Sequence, residues 1–99
     1  MQYYDGFDLN SFNEPKIEPR LYERVSNYKN IPFCAGVYFV YDEGDLYYVG
    51  YSGCLRSRLN NRFIGKLVYI MTFKDKLKAR KAERDFIYRF RPASNKRLY

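Results

Sequence analysis

The 99-residue sequence contains no histidine. This absence excludes Ser-His-Asp hydrolases, zinc enzymes with histidine ligands, and nucleases that use histidine as the general base. Any proton transfer must therefore involve tyrosine, lysine, a carboxylate or water. The chain has 12 tyrosines. Aromatic rings interleaved with arginine and lysine also suit contacts with the bases and sugars of a nucleic acid.

Cysteines and long apolar runs are also scarce. Cys34 and Cys54 are the only cysteines, and they lack the spacing of a metal site, so we expect both to be reduced and structural. No apolar run approaches the roughly 20 residues that a membrane span requires. Residues 1–9 are acidic and aromatic, unlike a signal peptide, so a cytoplasmic location is expected. The length predicts a single domain with a small core.

Positive charge is concentrated in the second half of the chain. Residues 1–30 contain four basic and five acidic residues, whereas residues 55–99 contain 14 basic and three acidic residues. A basic region of this density in a small domain is typical of a protein that binds a polyanion. A solvated, soluble surface would explain the charge equally well.

The apolar pattern predicts three strands and two helices after an N-terminal arm. The arm, residues 1–30, is polar, with a short helix beginning at Pro19. Residues 31–99 form the domain, with strands over 36–41, 46–50 and 66–73. One helix follows Ser52 or Gly53 and extends to residue 63, and the other covers residues 75–90. The longer helix buries a face that carries Ala79, Ala82, Glu83, Phe86, Ile87 and Phe90.

The first two strands are predicted to form a hairpin. A three-residue loop over residues 42–44, with Gly44 in the left-handed conformation, is a common hairpin type. This register pairs Tyr38 with Tyr48. Because residues directly opposite each other on antiparallel strands share a face, both phenols are expected to project side by side.

Four side chains could carry chemistry, although each has a simpler explanation. Glu83 on an apolar helix face is costly unless it is paired or bound to a metal. The commoner case is a glutamate at the edge of the core whose carboxylate reaches the solvent or pairs with Arg80 or Arg58. Arg58 could hold a phosphate or be an ordinary surface arginine. Tyr38 and Tyr48 could transfer protons, but strand tyrosines usually serve packing. Each of these signals is weak alone.

In combination they resemble a known family. Gly36, Val37 and Tyr38, followed by Tyr48, Val49 and Gly50, resemble the signature of the GIY-YIG nucleases. Residues 55–59, with Arg58 in their midst, are similar to the helix that bears the family's essential arginine. Glu83 is similar to the family's metal-ligand glutamate. Arg91, Pro92 and Asn95 are similar to the Arg-Pro-x-x-Asn motif that closes the family's domain. The resemblance covers residues 31–95.

The resemblance implies an α+β fold, a three-stranded antiparallel β-sheet flanked by helices, and metal-dependent hydrolysis of DNA. Glu83 would be the only protein carboxylate on one divalent metal, Mg²⁺ or alternatively Mn²⁺, with water and phosphate oxygens as the other ligands. Arg58 would grip the scissile phosphate. One of Tyr38 and Tyr48 would be the general base and the other would orient the water, with Tyr38 favoured as base. Asn95 would brace the site by hydrogen bonds.

The sequence departs from the family pattern in three places. The interval between the two tripeptides is slightly shorter than usual. Tyr51 stands where members often carry lysine, and Arg62 stands where many carry histidine or tyrosine. These departures leave the activation of the base open, but they do not affect Glu83 or Arg58.

The expected partner is DNA, with RNA as the alternative. About thirty residues precede the domain and four follow Asn95, so tight sequence specificity would require a homodimer, a protein partner or inserted loops. We expect weak or structure-directed specificity of the kind that a phage or mobile-element nuclease would have. The residues expected to bind nucleic acid are Tyr51, Arg56, Arg62, Lys66 and Arg84.

Two other classes of function remain open. The first is a nucleic-acid-binding module that retains the nuclease fold without cleaving its ligand. The second is a regulatory protein in which the acidic, tyrosine-rich segment 1–13 covers the basic face.

Overall fold

The fold places one helix on each side of an antiparallel sheet. The structure, a computed structural model, describes residues 3–6, 8, 31–60, 62–63 and 66–95 in full and the backbone of residues 23–24 and 96–98. Its strands are β1 (Glu23–Arg24), β2 (Ala35–Asp42), β3 (Asp45–Ser52) and β4 (Leu67–Phe73), its helices α1 (Leu55–Leu59) and α2 (Lys76–Phe90), and a 3₁₀ helix covers Ala93–Leu98.

The predicted α+β architecture is confirmed. Three long strands pair in antiparallel fashion in the order β4-β2-β3, and the two-residue β1 adds a fourth strand beside β4. The prediction of a helix beginning at Pro19 is wrong at Glu23 and Arg24, because these residues form a strand that pairs with Ile70 and Tyr69 of β4. The physical reason is that β2 satisfies only one edge of β4, so the other edge offers free backbone donors and acceptors. The other positions of that predicted helix lie outside the described residues.

The β2–β3 hairpin differs in register from the prediction. Its loop has two residues, Glu43 and Gly44, with φ angles of 52° and 86°. Positive φ at both positions gives the turn whose twist matches that of paired strands. A bulge between Val40 and Tyr41 then shifts the register, so that Tyr38 lies opposite Gly50 rather than opposite Tyr48. The prediction of a three-residue loop is therefore wrong.

Each face of the sheet has its own core. On β2 the odd-numbered residues face α2 and the even-numbered residues face α1, as the two-residue period of a strand requires. The predicted inner face of α2 is confirmed, with Phe90 partly buried and the rest of its apolar residues fully so. The α2 side buries Tyr4, Ala35, Val37, Phe39, Tyr41, Val49, Met71, Phe73, Ala79, Ala82, Phe86 and Ile87, and the α1 side buries Ile31, Tyr38, Val40, Leu55, Leu59, Val68 and Ile70.

The start of α2 is fixed by two carboxylates. Asp75 is the N-cap, and its side chain accepts a hydrogen bond of 2.8 Å from the backbone N–H of Leu77. Asp5 accepts two more, from the backbone N–H groups of Lys74 at 2.8 Å and Asp75 at 2.9 Å. The N–H of Tyr4 donates to the carbonyl of Thr72. Part of the N-terminal arm is thus anchored where β4 meets α2.

Helix α1 is shorter than predicted. It ends at Leu59, because Asn60 leaves the helical region with a ψ angle of 116°. Phe63 then adopts a left-handed conformation with φ of 58°. The two asparagines at 60 and 61 favour a turn over a helix, which the apolar spacing alone did not reveal. None of the helices that the structure describes has the length and hydrophobicity of a membrane span.

Candidate active site

The two tripeptides form one packed unit. Tyr38 and Tyr48 lie on the same face of the hairpin with ring centroids 6.0 Å apart, so the expectation that they project side by side holds despite the shifted register. Their hydroxyls are hydrogen bonded to each other. The ring of Tyr38 lies across Gly50, where a Cβ atom would overlap the Tyr38 ring and hydroxyl. The glycine of the second tripeptide is therefore required by the tyrosine of the first.

The first glycine serves a different contact. A Cβ atom at Gly36 would overlap the carbonyl oxygen of Met71 and the side chain of Leu55. The backbone N–H of Leu55 donates to the carbonyl of Cys34 at 2.8 Å, which fixes the start of α1 beside β2. Glycine at position 36 thus lets α1, and with it Arg58, approach the sheet closely.

The proton of the Tyr38 hydroxyl is tightly held. Burial, followed by the neighbouring Tyr48, raises the pKa of Tyr38 to about 12, against the lowering effect of Arg58 and Arg62. Only 2% of Tyr38 is exposed, whereas Tyr48 is partly exposed. Tyr38 therefore remains a phenol and donates its hydrogen bond to the Tyr48 oxygen. This geometry favours Tyr48 over Tyr38 as the oxygen that meets a water molecule.

The buried proton of Tyr38 gives a pH-dependent stability. The folded chain holds this proton to about pH 12, whereas an unfolded tyrosine loses it near its usual pKa of 10.0. Because the folded state then binds more protons, stability is expected to fall by up to about 3 kcal/mol as pH rises through this window. Urea denaturation between pH 9 and 12 measures the fall, which Tyr38→Phe should reduce and Tyr88→Phe, at an exposed position, should not. Parallel curves for the wild type and Tyr38→Phe would contradict the assignment.

An open cavity lies beside the tyrosines. Its volume is about 430 Å³, and it is lined by Ser52, Cys54, Ser57, Arg58 and Arg62. Two guanidinium groups and two hydroxyls form a lining suited to an anion such as a phosphate. The cavity thus brings the predicted phosphate-binding Arg58 together with Arg62, one of the predicted nucleic-acid contacts.

The cavity wall includes residues that the sequence did not single out. Ser52 accepts a hydrogen bond of 3.0 Å from the Cys54 N–H and donates one of 2.7 Å to the Cys54 carbonyl, which shapes the turn into α1. The Ser57 hydroxyl donates to the Cys54 sulfur at 3.4 Å and is the main cause of the lowered pKa of that thiol. Both cysteines are free thiols. Cys54 therefore lines the cavity rather than the core.

Phe63 is a further neighbour that sequence patterns missed. Its ring stacks on Tyr48 at 6.1 Å between centroids and tilts against Tyr38 at 6.0 Å. The predicted helix extending to residue 63 did not identify a contact between the Phe63 ring and the tyrosines. Only the left-handed turn of the backbone at Phe63 brings it to the tyrosine pair.

Glu83 lies across the edge of the sheet from the tyrosines. It is half-buried on α2, and burial raises its pKa against the lowering effects of Arg80, Arg84 and the backbone N–H of Tyr51. None of the described basic residues forms an ion pair with it. Tyr51 directly follows Gly50, so β3 connects the carboxylate to the ring of Tyr38.

The surroundings of Glu83 fit a magnesium ion that takes a single protein carboxylate. Among the described residues, no three acidic, cysteine or histidine side chains lie close enough together to hold a metal. A half-buried carboxylate that pairs with none of the described basic residues is an oxygen ligand whose charge a cation would stabilise. Mg²⁺ prefers oxygen ligands and commonly keeps several waters, so the remaining positions need no further side chain.

Asn95 extends the hydrogen-bond ladder of β3 on its outer edge. Its Oδ1 accepts from the Val49 N–H at 3.0 Å, and its Nδ2 donates to the Val49 carbonyl at 3.1 Å. Only 1% of Asn95 is exposed. Since Val49 stands between Tyr48 and Gly50, these bonds agree with the predicted bracing, and a role for Asn95 in a reaction stays a prediction.

Two of the predicted nucleic-acid contacts lie away from the cavity. Lys66 forms an ion pair of 2.9 Å with Asp42 at the turn end of the hairpin. Arg84 is exposed on α2, next to Glu83.

The other two predicted contacts each form a cation–π pair. Tyr51 lies under Arg80, whose guanidinium is 5.4 Å from the ring centroid. The Lys76 ammonium and the Tyr51 hydroxyl both lie 3.7 Å from the Cβ position at Gly53, so α2 provides cations where the sequence lacks a lysine at position 51. The guanidinium of Arg56 lies 4.5 Å from the ring centroid of Phe33, on the flank of α1 opposite to Arg58.

Comparisons with known proteins identify the fold. No known protein-family profile and no curated protein sequence matches the chain. Among solved structures it is similar to the GIY-YIG N-terminal endonuclease domain of UvrC from Thermotoga maritima bound to magnesium, with 21% identity over 69% of this chain and 90% of that domain and a TM-score of 0.58. Two variants of that domain with a tyrosine replaced by phenylalanine, bound to the catalytic divalent cation, match at 21% and 20% identity over 69% of this chain and 89% of theirs, each with a TM-score of 0.59. The chain therefore has the GIY-YIG endonuclease fold.

Proposed function

We propose that the chain is a metal-dependent endonuclease that hydrolyses phosphodiester bonds in DNA. The observation that carries the proposal is the arginine-lined cavity beside the hydrogen-bonded tyrosine pair. Support comes from the fold, since the solved domains that share it are endonuclease domains bound to a divalent cation.

Each residue of the candidate site has a proposed role. Glu83 would hold a divalent cation, Mg²⁺ or Mn²⁺, whose charge would stabilise the phosphate and the leaving oxygen. Arg58 binds the scissile phosphate with its planar donor group, and Arg62 adds a second cation. Tyr48 would accept the proton of the attacking water, and the hydrogen bond between Tyr38 and Tyr48 would orient the Tyr48 oxygen. Asn95 positions Tyr48 by holding β3.

The proposed specificity is low or directed by DNA structure. The cavity presents guanidinium and hydroxyl groups that suit phosphates, which carry no sequence information. Additional sequence specificity would come from a homodimer or a protein partner. Cytoplasmic action in a prokaryote or a phage-infected host, as expected of a phage or mobile-element enzyme, stays a prediction, as does the preference for DNA over RNA.

Cleavage of supercoiled plasmid tests the proposed activity. The wild type is expected to convert plasmid to nicked or linear DNA in Mg²⁺ and to leave it intact in EDTA, with activity restored by excess Mg²⁺. Branched and single-stranded oligonucleotides extend the assay to structure-directed cleavage. If no substrate is cut while DNA binding is retained, the chain is a nucleic-acid-binding module instead.

Replacing Arg58 by lysine tests the phosphate contact. Lysine keeps the charge but loses the planar, bidentate donor, so we expect the cleavage rate to fall about 10- to 100-fold with the fold intact. Steady-state cleavage of a labelled oligonucleotide measures the effect, and Arg89→Lys, at a position on α2 whose guanidinium pairs with Asp85, is the matched control. Equal activity of both variants would remove Arg58 from the proposed mechanism.

A further inference from the structure

Phe33 is an exposed aromatic residue on a well-anchored backbone. Its side chain is 73% exposed, although Ile31 and Ala35 on either side are buried. The adjacent Cys34 carbonyl accepts the hydrogen bond from Leu55 that fixes the start of α1. The fold therefore holds a large apolar ring in solvent at a defined place, where it adds little to the stability of the core.

Arg56 lies against this ring. Its guanidinium is 4.5 Å from the Phe33 ring centroid, closer than the other cation–π contacts among the described residues. Together the two side chains form a stack of an aromatic ring and a guanidinium group. Aromatic and guanidinium planes of this kind are the surfaces on which proteins stack unpaired nucleobases.

The pair lies within a few nucleotides of the cavity. Arg56 and Arg58 are two residues apart on α1, so they point to opposite flanks of the helix. The distance across a helix with side chains is about 10 Å. This corresponds to about three nucleotides at the B-form rise of about 3.4 Å per nucleotide, and to fewer in an extended single strand.

We propose that Phe33 and Arg56 form a stacking site for an unpaired nucleobase that flanks the phosphate bound in the cavity. The inference rests on the proposed function and deepens it by naming the substrate class. A base inside a duplex has both faces covered by its neighbours, so only single-stranded, flap or branched DNA can use the site. Recognition of an unpaired base would direct the enzyme to DNA structure without reading sequence.

Binding in EDTA tests the site separately from cleavage. Fluorescence anisotropy with a labelled single-stranded oligonucleotide and the matching duplex compares the wild type with Phe33→Ala. We expect the affinity for the single strand to fall about tenfold, and the affinity for the duplex to change less than about twofold. Phe33→Trp should retain single-strand affinity, because its ring restores the stacking surface.

Tyr88 is the matched control. It is 66% exposed, and Arg91 lies 5.5 Å from its ring centroid, but it is on α2, on the opposite side of the sheet from α1. Tyr88→Ala should leave both affinities unchanged. A single abasic nucleotide, moved along the oligonucleotide, should weaken wild-type binding at one position and have no effect on Phe33→Ala at that position.

The outcomes separate this inference from the proposed function. A loss of affinity in Phe33→Ala that is equal for single strand and duplex, or that Tyr88→Ala reproduces, would overturn the stacking site. An unchanged single-strand affinity in Phe33→Ala would do the same. Selective loss in Phe33→Ala together with a wild type that cuts no DNA would support the stacking site and reject the nuclease.

Discussion

The Glu83→Gln variant is expected to lose cleavage of plasmid DNA in Mg²⁺ by about a thousandfold or more. Glutamine has the shape of glutamate but no charge, and Glu83 is the one carboxylate proposed to hold the cation. Loss of the several kcal/mol that a metal contributes to charge stabilisation corresponds to this factor. Conversion of supercoiled to nicked plasmid over time, with equal amounts of protein, measures the rate.

The same variant should fold at least as well as the wild type. Because burial raises the pKa of Glu83, its ionised form is less favourable in the folded chain than in the unfolded chain. Thermal unfolding is therefore expected at the same or a higher temperature. Asp85→Asn is the matched control, since it removes a carboxylate two residues away that pairs with Arg89 and should keep full activity. Cleavage by Glu83→Gln above a tenth of the wild-type rate would show that this carboxylate does not hold the metal.

Gly50→Ala is expected to disrupt the tyrosine pair of the site by adding a single carbon. The added methyl group would overlap the ring and hydroxyl of Tyr38, which is buried and cannot move outward without opening the α1 side of the core. Overpacking of this kind costs about 1–3 kcal/mol of stability. Displacement of the tyrosine pair by even 1 Å is expected to reduce cleavage about 100-fold. Urea denaturation and the plasmid assay measure the two effects.

A control glycine and a double variant isolate the cause. A Cβ at Gly53 would meet its neighbours at 3.6–3.7 Å, an ordinary contact distance, so Gly53→Ala should have little effect on stability. Combining Gly50→Ala with Tyr38→Phe removes the hydroxyl part of the overlap and should recover part of the stability without recovering cleavage. If Gly50→Ala is as stable and active as Gly53→Ala, the close packing of the two tripeptides is not required for stability or cleavage.

The parts of the fold that the sequence predicted are those with strong local signals. Helix α2 has a capping aspartate, a clear apolar face and a proline shortly after its end, and it lies where expected. The hairpin was placed correctly but in the wrong register, because glutamate gives little sign that position 43 adopts a positive φ. The β1 pairing was missed because a two-residue edge strand depends on the free edge of β4 rather than on its own residues.

For the candidate site, sequence patterns predicted which residues take part better than they predicted which residues lie next to each other. The tyrosine pair lies on one face as expected. The register differs from the predicted one by two residues, and a shift of two residues leaves each side chain on the same face of the strand. Which basic residues reach the cavity was not predictable: Arg62 does, whereas Lys66 pairs with Asp42. That choice depends on the turn after α1, whose geometry is set by tertiary contacts of Phe63 rather than by local propensity.

The outer edge of β3 bears on how two copies of the chain can associate. An exposed edge strand normally offers its outward N–H and C=O groups as a template for a strand of another molecule. Here Asn95 binds both groups of Val49, and Glu83 accepts from the N–H of Tyr51, the next outward-facing donor. Two of the residues proposed for the reaction thus also protect the sheet from strand addition and aggregation at this edge. At Val49 and Tyr51, β3 therefore does not offer a second copy of the chain free backbone groups for strand pairing.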